Sequence, residues 1–341
     1  MGFTGDFALR NGGRVKLLPV IPVACLTFCG FAAKAEDLKL GIIGLDTSHV
    51  TAFTQILNDP NDPKHVPGGK VIAAFKSSSA DIPSSASKVD GYAETLQTKY
   101  GVKLVGSIEE LCKMADCVLI ESVDGRPHLE QAKPVIAAKK RVFIDKPIGG
   151  TLGDTLEIYR LAKEAGVPVF TSSAYRYYDT MVELKKVNVG KIRSAFSYGP
   201  SPLEPNHPDF FWYGIHPTEA LFTVLGTGCE SVVRTHTEDT DVVTGVWSGG
   251  RTGVLHALRT KPTPHQVTVF GDNGFAEQKS GGDHYAPLVA QMMEFFKTGV
   301  SPVPVEETIE IFAFMEAADE SKRRGGTPVK LSEVLENART R

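Results

Sequence analysis

Cysteine is scarce in this chain: it has five in 341 residues, and Cys25 and Cys29 fall within the first 35. The other three, Cys112, Cys117 and Cys229, are too few for a disulfide framework in a chain of this length. They also lack the paired close spacing of a structural zinc site. We therefore predict a fold that depends on its hydrophobic core, without disulfides and without a metal site.

The chain also lacks a strong excess of charge of either sign. Its formal net charge is −3, and no stretch has enough lysine and arginine for a nucleic-acid patch. No internal repeats and no low-complexity segment are present. Hydrophobic residues make up 42% and charged residues 23%, as in soluble globular proteins. The length allows two domains, each with its own core. We predict no nucleic-acid partner.

The first 35 residues have the pattern of a secretory signal peptide. Three basic residues between positions 10 and 16 precede an apolar run over 17–33, which ends in Ala33-Lys34-Ala35, a small-x-small cleavage site. The run is short for a membrane span and contains two prolines. We therefore predict an exported protein, periplasmic or extracellular, with no span left after cleavage. An uncleaved N-terminus is the alternative.

Residues 36–173 alternate between short apolar runs and helical patterns. Such runs are typical of strands buried on both faces of a sheet. Six strands are predicted, over 38–44, 70–75, 103–105, 117–121, 141–144 and 167–171. The alternation predicts a Rossmann-type, doubly wound parallel sheet, which binds ligands at the carboxyl edge of its strands.

From residue 174 onward the strand-like segments follow one another closely, separated by turns rich in glycine and aspartate. Predicted strands cover 194–198, 230–237, 242–247, 251–259 and 266–270, and helices cover 217–225, 284–297 and 306–322. Residues 174–341 are thus predicted to form an α+β domain with a mostly antiparallel open sheet. The fold class is α/β, with substrate binding and oligomerisation assigned to this second domain.

The loop after the first strand is a candidate nucleotide site. A dinucleotide fingerprint, G-x-G-x-x-G, would start at Gly44, but its second position is Asp46 and its third is His49. Thr47 and Ser48 can still donate hydrogen bonds to a phosphate at the helix start. The alternative is a loop that caps its helix and binds no pyrophosphate.

The second strand is followed by Lys76 and Ser77, where a site that prefers NAD usually has a carboxylate for the ribose 2′-hydroxyl. A cation and a hydroxyl suit a 2′-phosphate instead. If a dinucleotide binds, the sequence favours NADP over NAD. An exposed polar loop is the alternative.

Two motifs follow. Asp145-Lys146-Pro147 comes directly after the fifth predicted strand, and Gly214-Ile215-His216-Pro217-Thr218-Glu219 leads a helix into the second domain. Tyr213 directly precedes the second motif and belongs to it. Together the two motifs resemble the Gfo/Idh/MocA oxidoreductases over most of the chain after Ala35. The resemblance implies that Asp145 and Pro147 belong to the cofactor site, with Pro147 setting the turn. It also implies homo-oligomer assembly through the open sheet face.

The same resemblance assigns the chemistry to two residues. Lys146 would lie near the nicotinamide and the substrate, and His216 would be the general acid/base that takes the substrate hydroxyl proton. Imidazole titrates near neutral pH, and a nearby ammonium would favour its base form. The sequence departs from the family pattern at Trp212, where many members have an aspartate that holds the substrate.

Further candidate substrate contacts surround these motifs. The proline-rich and aromatic segment 200–212 could cover the substrate, with His207, Trp212 and the following Tyr213 as contacts. Arg176 and Tyr178 follow the last strand of the first domain and are predicted to face the space between the domains. A packed connector with buried aromatic residues is the alternative for 200–212.

These observations predict an NAD(P)-dependent oxidoreductase acting on a small sugar or polyol, with a tightly bound cofactor because no dinucleotide pool exists outside the cytoplasm. An NAD-assisted glycoside hydrolase or lyase is one alternative. A non-catalytic carbohydrate-binding family member is the other, and Asp46, His49 and Trp212 favour it.

Overall fold

The first strand, β1, forms because Leu38–Ile43 is a short apolar run that is buried from Leu40 onward. A computed structural model describes residues 36–260, 264–279, 282 and 284–340, and residues 36–341 form one compact unit. The predicted signal peptide lies outside the described residues. No helix in the described ranges is both long enough and apolar enough to span a membrane.

β1 lies at the centre of a six-stranded parallel sheet, between β2 and β4. The strand order is β3-β2-β1-β4-β5-β6, which is the Rossmann order, and it confirms the predicted fold class. The other strands are β2 (Gly69–Phe75), β3 (Lys103–Val105), β4 (Cys117–Ile120), β5 (Arg141–Ile144) and β6 (Val169–Phe170). The order reverses between β1 and β4, so a crevice opens there at the carboxyl edge.

Helices cover both faces of this sheet, and short polar side chains fix where several of them begin. Thr47 caps α1, and Ser107 caps α4 by accepting a hydrogen bond from the Glu110 amide at 3.1 Å. The helices are α1 (Ser48–Asn58), α2 (Pro83–Ala86), α3 (Val89–Tyr100), α4 (Ile108–Met114), α5 (His128–Ala137) and α6 (Leu152–Ala165).

The second sheet has seven strands in the order β12-β11-β7-β10-β9-β8-β13. All neighbours are antiparallel except β7 and β10, which are parallel, so the predicted mostly antiparallel sheet is confirmed. Its strands are β7 (Ile192–Pro200), β8 (Cys229–His236), β9 (Thr240–Trp247), β10 (Arg251–Leu258), β11 (Gln266–Gly271), β12 (Gly274–Glu277) and β13 (Val329–Lys330).

Burial alternates along these strands, so one face packs on helices and the other is open. α8 packs on β7 and β10, and α10 packs on β8. Phe270 and Phe275 are exposed on β11 and β12. The helices that follow the first sheet are α7 (Asp179–Lys186), α8 (Ile215–Leu225), α9 (Ala286–Thr298), α10 (Val305–Arg323) and α11 (Leu331–Arg339).

A buried guanidinium joins three parts of the second half of the chain. Arg234 on β8 donates to Asp241 on β9 at 2.8 and 2.9 Å, to Asp319 on α10 at 2.5 Å, and to Asp209 at 3.0 Å. Its guanidinium also lies over the Phe210 ring. This anchors residues 209 and 210 of the loop after β7 to the sheet and to α10. Burial raises the pKa of Asp319 to about 7, and the attraction of Arg234 offsets this only in part.

The three cysteines of the described residues are buried and free. Cys112 lies on α4, Cys117 begins β4 and Cys229 begins β8. Burial raises the pKa of the Cys112 and Cys117 thiols to about 11 and that of Cys229 still further. They therefore belong to the core, as their number and spacing predict.

Candidate functional site

A cavity of about 230 Å³ lies at the carboxyl edge of the first sheet, where residues of the second half of the chain close over it. We call it the central cavity. Its lining residues are Asp46, Thr47, Ser48, His49, Ser84, Lys88, Val123, Lys146, Ser173, Ala174, Tyr175, Tyr178, Tyr213, His216, His265 and Tyr285. Polar and aromatic side chains thus predominate, which is typical of a site for a small polar ligand.

His216 lies at the start of α8, and its ring faces two other ring systems. The Nδ1 atom is 2.8 Å from the Ser173 hydroxyl oxygen, and the ring centroid is 5.2 Å from that of Tyr213 and 5.6 Å from that of His265. Burial, and then repulsion from the Lys146 ammonium, hold the pKa of His216 well below its ordinary value. The imidazole is therefore neutral at neutral pH and can accept a proton.

Glu219, one turn beyond His216 on α8, fixes the partner of that imidazole. Its carboxylate accepts hydrogen bonds from the Ser172 hydroxyl at 2.5 Å, from the Ser173 amide at 2.8 Å and from Arg176 Nε at 2.8 Å. It therefore holds the chain after β6 in place, and with it the Ser173 hydroxyl. The sequence motif contained Glu219, but the sequence did not indicate this role.

Lys146 follows β5 and brings a positive charge to the central cavity. Its side chain is buried, and its Nζ atom lies 5.4 Å from the centre of the Tyr213 ring. The peptide bond between Lys146 and Pro147 is cis. The structure thus places Lys146, His216 and Tyr213 together, as the two sequence motifs predict.

Ser173, His265 and Tyr285 are among the lining residues that were not predicted from the sequence. His265 precedes β11, and burial lowers its pKa to about 4, so it is a second neutral imidazole here. Tyr285 contacts the His49 ring edge-on, with centroids 4.8 Å apart. Each comes from a different segment far along the chain, so no local motif marks them.

His49, at the third position of the fingerprint, points into the protein from the start of α1. Its Nδ1 atom lies 2.7 Å from Asp145 Oδ2, and its ring stacks on Phe53. Burial opposes ionisation of Asp145, but attraction to His49 and Lys146 keeps the pKa of this carboxyl below its ordinary value. A glycine at this position would let the helix pack close to the strand. His49 instead pairs with Asp145.

Glu121 lies directly after β4, and the sequence did not indicate it as a site residue. Its side chain is fully buried, and neither carboxylate oxygen has a hydrogen-bond partner among the described residues. Burial, and then repulsion from Asp145, raise the pKa of Glu121 well above its ordinary value. An unpartnered carboxyl at the carboxyl edge of a Rossmann sheet needs a ligand or a proton.

The Asp46 side chain, at the second position of the fingerprint, also turns inward. Its carboxylate accepts hydrogen bonds from the Val123 amide at 2.9 Å and from the Ser85 hydroxyl at 2.6 Å. Burial raises the pKa of Asp46 in spite of both bonds. This carboxylate joins the loops after β1 and β4 at the point where a pyrophosphate would approach the backbone.

Residues 79–85, which we call the cover segment, close the rest of the crevice. The Ser79 hydroxyl donates to Asp124 at 2.5 Å, and Arg126 donates to Asp81 through two nitrogens at 2.9 Å each. The loops after β2 and β4 are thereby joined directly. The adenosine part of a dinucleotide would have to lie between them, so the crevice as it stands does not accommodate one.

The predicted cofactor residues therefore divide into two groups. Asp46, Thr47, Ser48 and His49 line the central cavity, whereas Gly44, Lys76, Ser77, Asp145 and Pro147 do not. Gly44 has φ +82°, and a Cβ there would lie 2.2 Å from the Ser122 hydroxyl oxygen, so the tight turn requires glycine. Lys76 is exposed and pairs with Asp90, and Ser77 accepts a hydrogen bond from Gln131.

The predicted substrate contacts also divide. Tyr178 and Tyr213 line the central cavity, but Arg176, His207 and Trp212 do not. Arg176 is held by Glu219 at 2.8 Å and by Glu307 at 2.7 Å, so its charge is already neutralised. His207 is buried 3.5 Å from Asp124, and Trp212 is buried against it with ring centroids 5.0 Å apart. The segment 200–212 thus packs as a connector, which was the alternative interpretation.

Comparison with known proteins gives a match for the first half of the chain. Residues 38–173 match the Gfo/Idh/MocA family, described as an oxidoreductase family with an NAD-binding Rossmann fold. The chain is 32% identical over 108 residues to a 1,5-anhydro-D-fructose reductase of Ensifer adhaerens. That alignment covers 31% of this chain and 32% of the relative, so the chain spans about a third of the length of the curated relative.

Similar solved structures extend over nearly the whole fold. A myo-inositol 2-dehydrogenase from Lactobacillus plantarum superposes with a TM-score of 0.72 at 17% identity, covering 86% of this chain and 99% of that one. An oxidoreductase from Agrobacterium radiobacter, solved with NAD⁺, L-tartaric acid and magnesium, gives a TM-score of 0.70 at 15% identity over 88% of this chain and all of that one. At these identities the likeness shows the fold.

Proposed function

Because residues 38–173 match the Gfo/Idh/MocA oxidoreductase family, we propose that this chain is a member of it, an oxidoreductase-class enzyme that acts on a sugar or related polyol in the central cavity. The observation that carries the proposal is a neutral imidazole, His216, beside the Lys146 ammonium in a cavity walled by tyrosines. The sugar substrate of the Ensifer relative and the inositol substrate of the Lactobacillus relative support the polyol class.

The size of the central cavity agrees with one small ligand. About 230 Å³ is below the roughly 300–1,000 Å³ of sites that take larger ligands. Tyr178, Tyr213 and Tyr285 offer aromatic faces to the apolar side of a sugar ring and hydroxyls to its polar edge. The same volume leaves no room for a sugar and a complete dinucleotide together.

The proton chemistry follows from the residues around His216. When the Ser173 hydroxyl oxygen accepts a hydrogen bond from the Nδ1–H group of His216, the other ring nitrogen is left as a base for a polyol hydroxyl. Glu219 positions Ser173, so it acts through that residue. The Lys146 ammonium stabilises the negative charge that develops on the substrate oxygen. These groups suffice for proton removal and return at one hydroxyl.

The oxidoreductase class comes from the family, whose NAD-binding fold the first half of the chain shares. Binding NADP or NAD would require the cover segment to move away from Asp124 and Asp46. We therefore write no step through the dinucleotide. A polyol-binding protein without hydride transfer is the second candidate, and the closed crevice is the observation that favours it.

We also propose that the chain is exported and assembles with copies of itself. The pattern of residues 1–35 supports export, and Phe270 and Phe275 on the open sheet face support self-association. Fractionation of the source cells and light scattering of the purified chain test these two points. A chain confined to the cytoplasm, or a monomer at high concentration, would contradict them.

The test of the function has two measurements. Mass spectrometry of small molecules released from the denatured chain detects a tightly held dinucleotide, and calorimetry with a panel of sugars and inositols detects the polyol. We expect His216→Asn and Lys146→Met to abolish turnover of the bound polyol, with His256→Asn on β10 as the control. Polyol binding without a dinucleotide and without turnover would establish the second candidate, and no polyol binding would refute both.

A further inference from the structure

Three potential metal ligands meet below the central cavity, and the proposed function uses none of them. Glu121 follows β4, Asp145 follows β5 and His49 lies in the first turn of α1. One ligand atom of each lies within 4.8 Å of those of the other two. We call these residues the carboxylate–imidazole cluster. Metal–ligand distances of about 2.0–2.2 Å need ligand atoms within about 4.4 Å of one another, so side-chain shifts of a few tenths of an ångström let one cation contact all three.

The cluster has unused ligand capacity that its protein neighbours do not fill. Both oxygens of Glu121 and the Oδ1 atom of Asp145 are buried and have no hydrogen-bond partner among the described residues. Glu121 is fully buried and Asp145 is 1% exposed. Leaving such groups unpaired in a protein interior is costly, so the fold supplies a compensating ligand or proton.

Protonation of Glu121 does not give its carboxyl group a hydrogen-bond partner. If Glu121 were neutral, its O–H would still need an acceptor, and neither of its oxygens forms a hydrogen bond to Asp145 or to any other described residue. The Glu121 and Asp145 oxygens are too far apart for a hydrogen bond, but a cation between them can contact both carboxylates at this separation.

The charges near the cluster also favour a cation. Glu121, Asp145 and the nearby Asp46 are three carboxylates, and among the described residues the Lys146 ammonium acts on the first two. Glu121 and Asp145 do not line the central cavity, so a ribose or sugar hydroxyl does not reach them, whereas His49 does line it. A ligand that reaches Glu121 and Asp145 from the central cavity must pass His49, and a small ion is suited to this path.

We propose that His49, Glu121 and Asp145 bind one divalent transition-metal cation, such as Mn²⁺, at the floor of the central cavity. One imidazole nitrogen and two carboxylates are ligands that such cations accept. The replacement of fingerprint glycine by His49 then supplies a ligand. This inference goes beyond the proposed function and does not depend on it.

The test is Mn²⁺ binding to the purified chain after removal of metals with EDTA. Mn²⁺ is the probe because thiolates favour softer ions, so the cysteines do not compete. We expect one Mn²⁺ per chain by calorimetry and a Mn²⁺-dependent rise in melting temperature. In Glu121→Gln and in Asp145→Asn, Mn²⁺ affinity falls about tenfold or more, since even outer-shell changes cost about 10–100-fold.

The matched control is Glu310→Gln. The Glu310 carboxylate is partly buried but accepts hydrogen bonds from the Gly228 and Cys229 amides, and it lies on α10 outside the cluster. This variant keeps the wild-type Mn²⁺ affinity. No saturable Mn²⁺ binding by the wild-type chain overturns the proposal. So does an affinity that is equal in the wild type and in whichever of the two cluster variants folds.

Discussion

His216 owes its chemistry to what surrounds it within a few ångströms. Burial makes the charged imidazolium costly, and the Lys146 ammonium repels it, so the base form persists where an exposed histidine would be protonated. His265 adds a second neutral ring. A base of this kind accepts a proton only when the substrate oxygen, with its charge, is in place beside Lys146.

The first prediction concerns the titration of His216. By NMR, its midpoint falls below the ordinary value of about 6.5, so the ring stays neutral as the pH drops through that value. Lys146→Met raises the midpoint, because it removes a neighbouring positive charge. Lys76→Met, which changes an exposed lysine paired with Asp90, leaves it unchanged. A His216 midpoint near 6.5 in the wild type, unchanged in Lys146→Met, would contradict this account.

At this scale the sequence predicts residues that belong to a local motif. Lys146, Tyr213 and His216 stand in such motifs and meet in the central cavity. Arg176 was predicted to contact substrate, but its carboxylate partners Glu219 and Glu307 are remote in sequence and neutralise it. Glu121 was missed because a carboxylate after a strand becomes unusual only when its neighbours are known.

At the scale of elements, the second sheet depends on one buried guanidinium to join β8, β9 and α10. Arg234 is fully buried, and its ion pairs are removed from water. Such pairs add little net stability compared with apolar packing, but breaking one leaves charges buried without a partner. The loss of Arg234 therefore costs far more than the loss of a surface arginine.

The second prediction is that Arg234→Met lowers the free energy of unfolding by about 3–5 kcal/mol, because the buried Asp319 carboxylate loses the cation that it pairs with. Asp241 and Asp209 lose one cation each but keep Arg259 and Lys322. The control is Arg193→Met, which removes an exposed pair with Asp272 and costs at most about 1 kcal/mol. Urea unfolding of the three chains measures both changes. Equal losses in the two variants would show that the Arg234 network does not join these elements.

The third prediction concerns Asp319, whose folded-state pKa is about 7 against an ordinary 3.8. Between these values the unfolded chain has released the proton and the folded chain has kept it, so this carboxyl lowers stability as the pH rises from about 4 to 7. Asp319→Asn removes that contribution. Urea unfolding at pH 5 and pH 8 should then show a smaller difference than in the wild type, and an unchanged difference would contradict the raised pKa.

The sequence predicts the longer elements because hydrophobic periodicity extends over enough residues to be recognised. The five predicted strands of the second sheet and helices α9 and α10 are all present, within a few residues of their predicted ends. β12 and β13 were missed since they have four and two residues. Such short strands exist only because a neighbouring strand pairs with them.

At the scale of the whole molecule, contacts between the two halves of the chain hold the nucleotide crevice closed. Asn206, from the loop after β7, donates to the Asp81 carbonyl at 2.6 Å, and His207 lies against Asp124. The cover segment is thus bonded to both halves. Arg126 is its main anchor, since it pairs with Asp81 and with Asp124.

The fourth prediction is that Arg126→Ala speeds amide hydrogen exchange in residues 79–85, because the segment loses the ion pair between Asp81 and Arg126. Arg160→Ala, on the exposed face of α6, leaves exchange there unchanged. If dinucleotide binding is limited by the cover segment, the Arg126 variant also binds NADP or NAD more tightly. Exchange equal to the wild type would show that other contacts hold the segment.

The labelling rates of the buried cysteines report when each sheet unfolds. A thiol whose pKa is about 11 reacts slowly with disulfides and alkylating agents, and burial also blocks access to it. Labelling therefore waits for unfolding. Cys117 at the start of β4 reports on the first sheet and Cys229 at the start of β8 reports on the second. Their separate labelling rates would show whether the two sheets melt as one unit or in sequence.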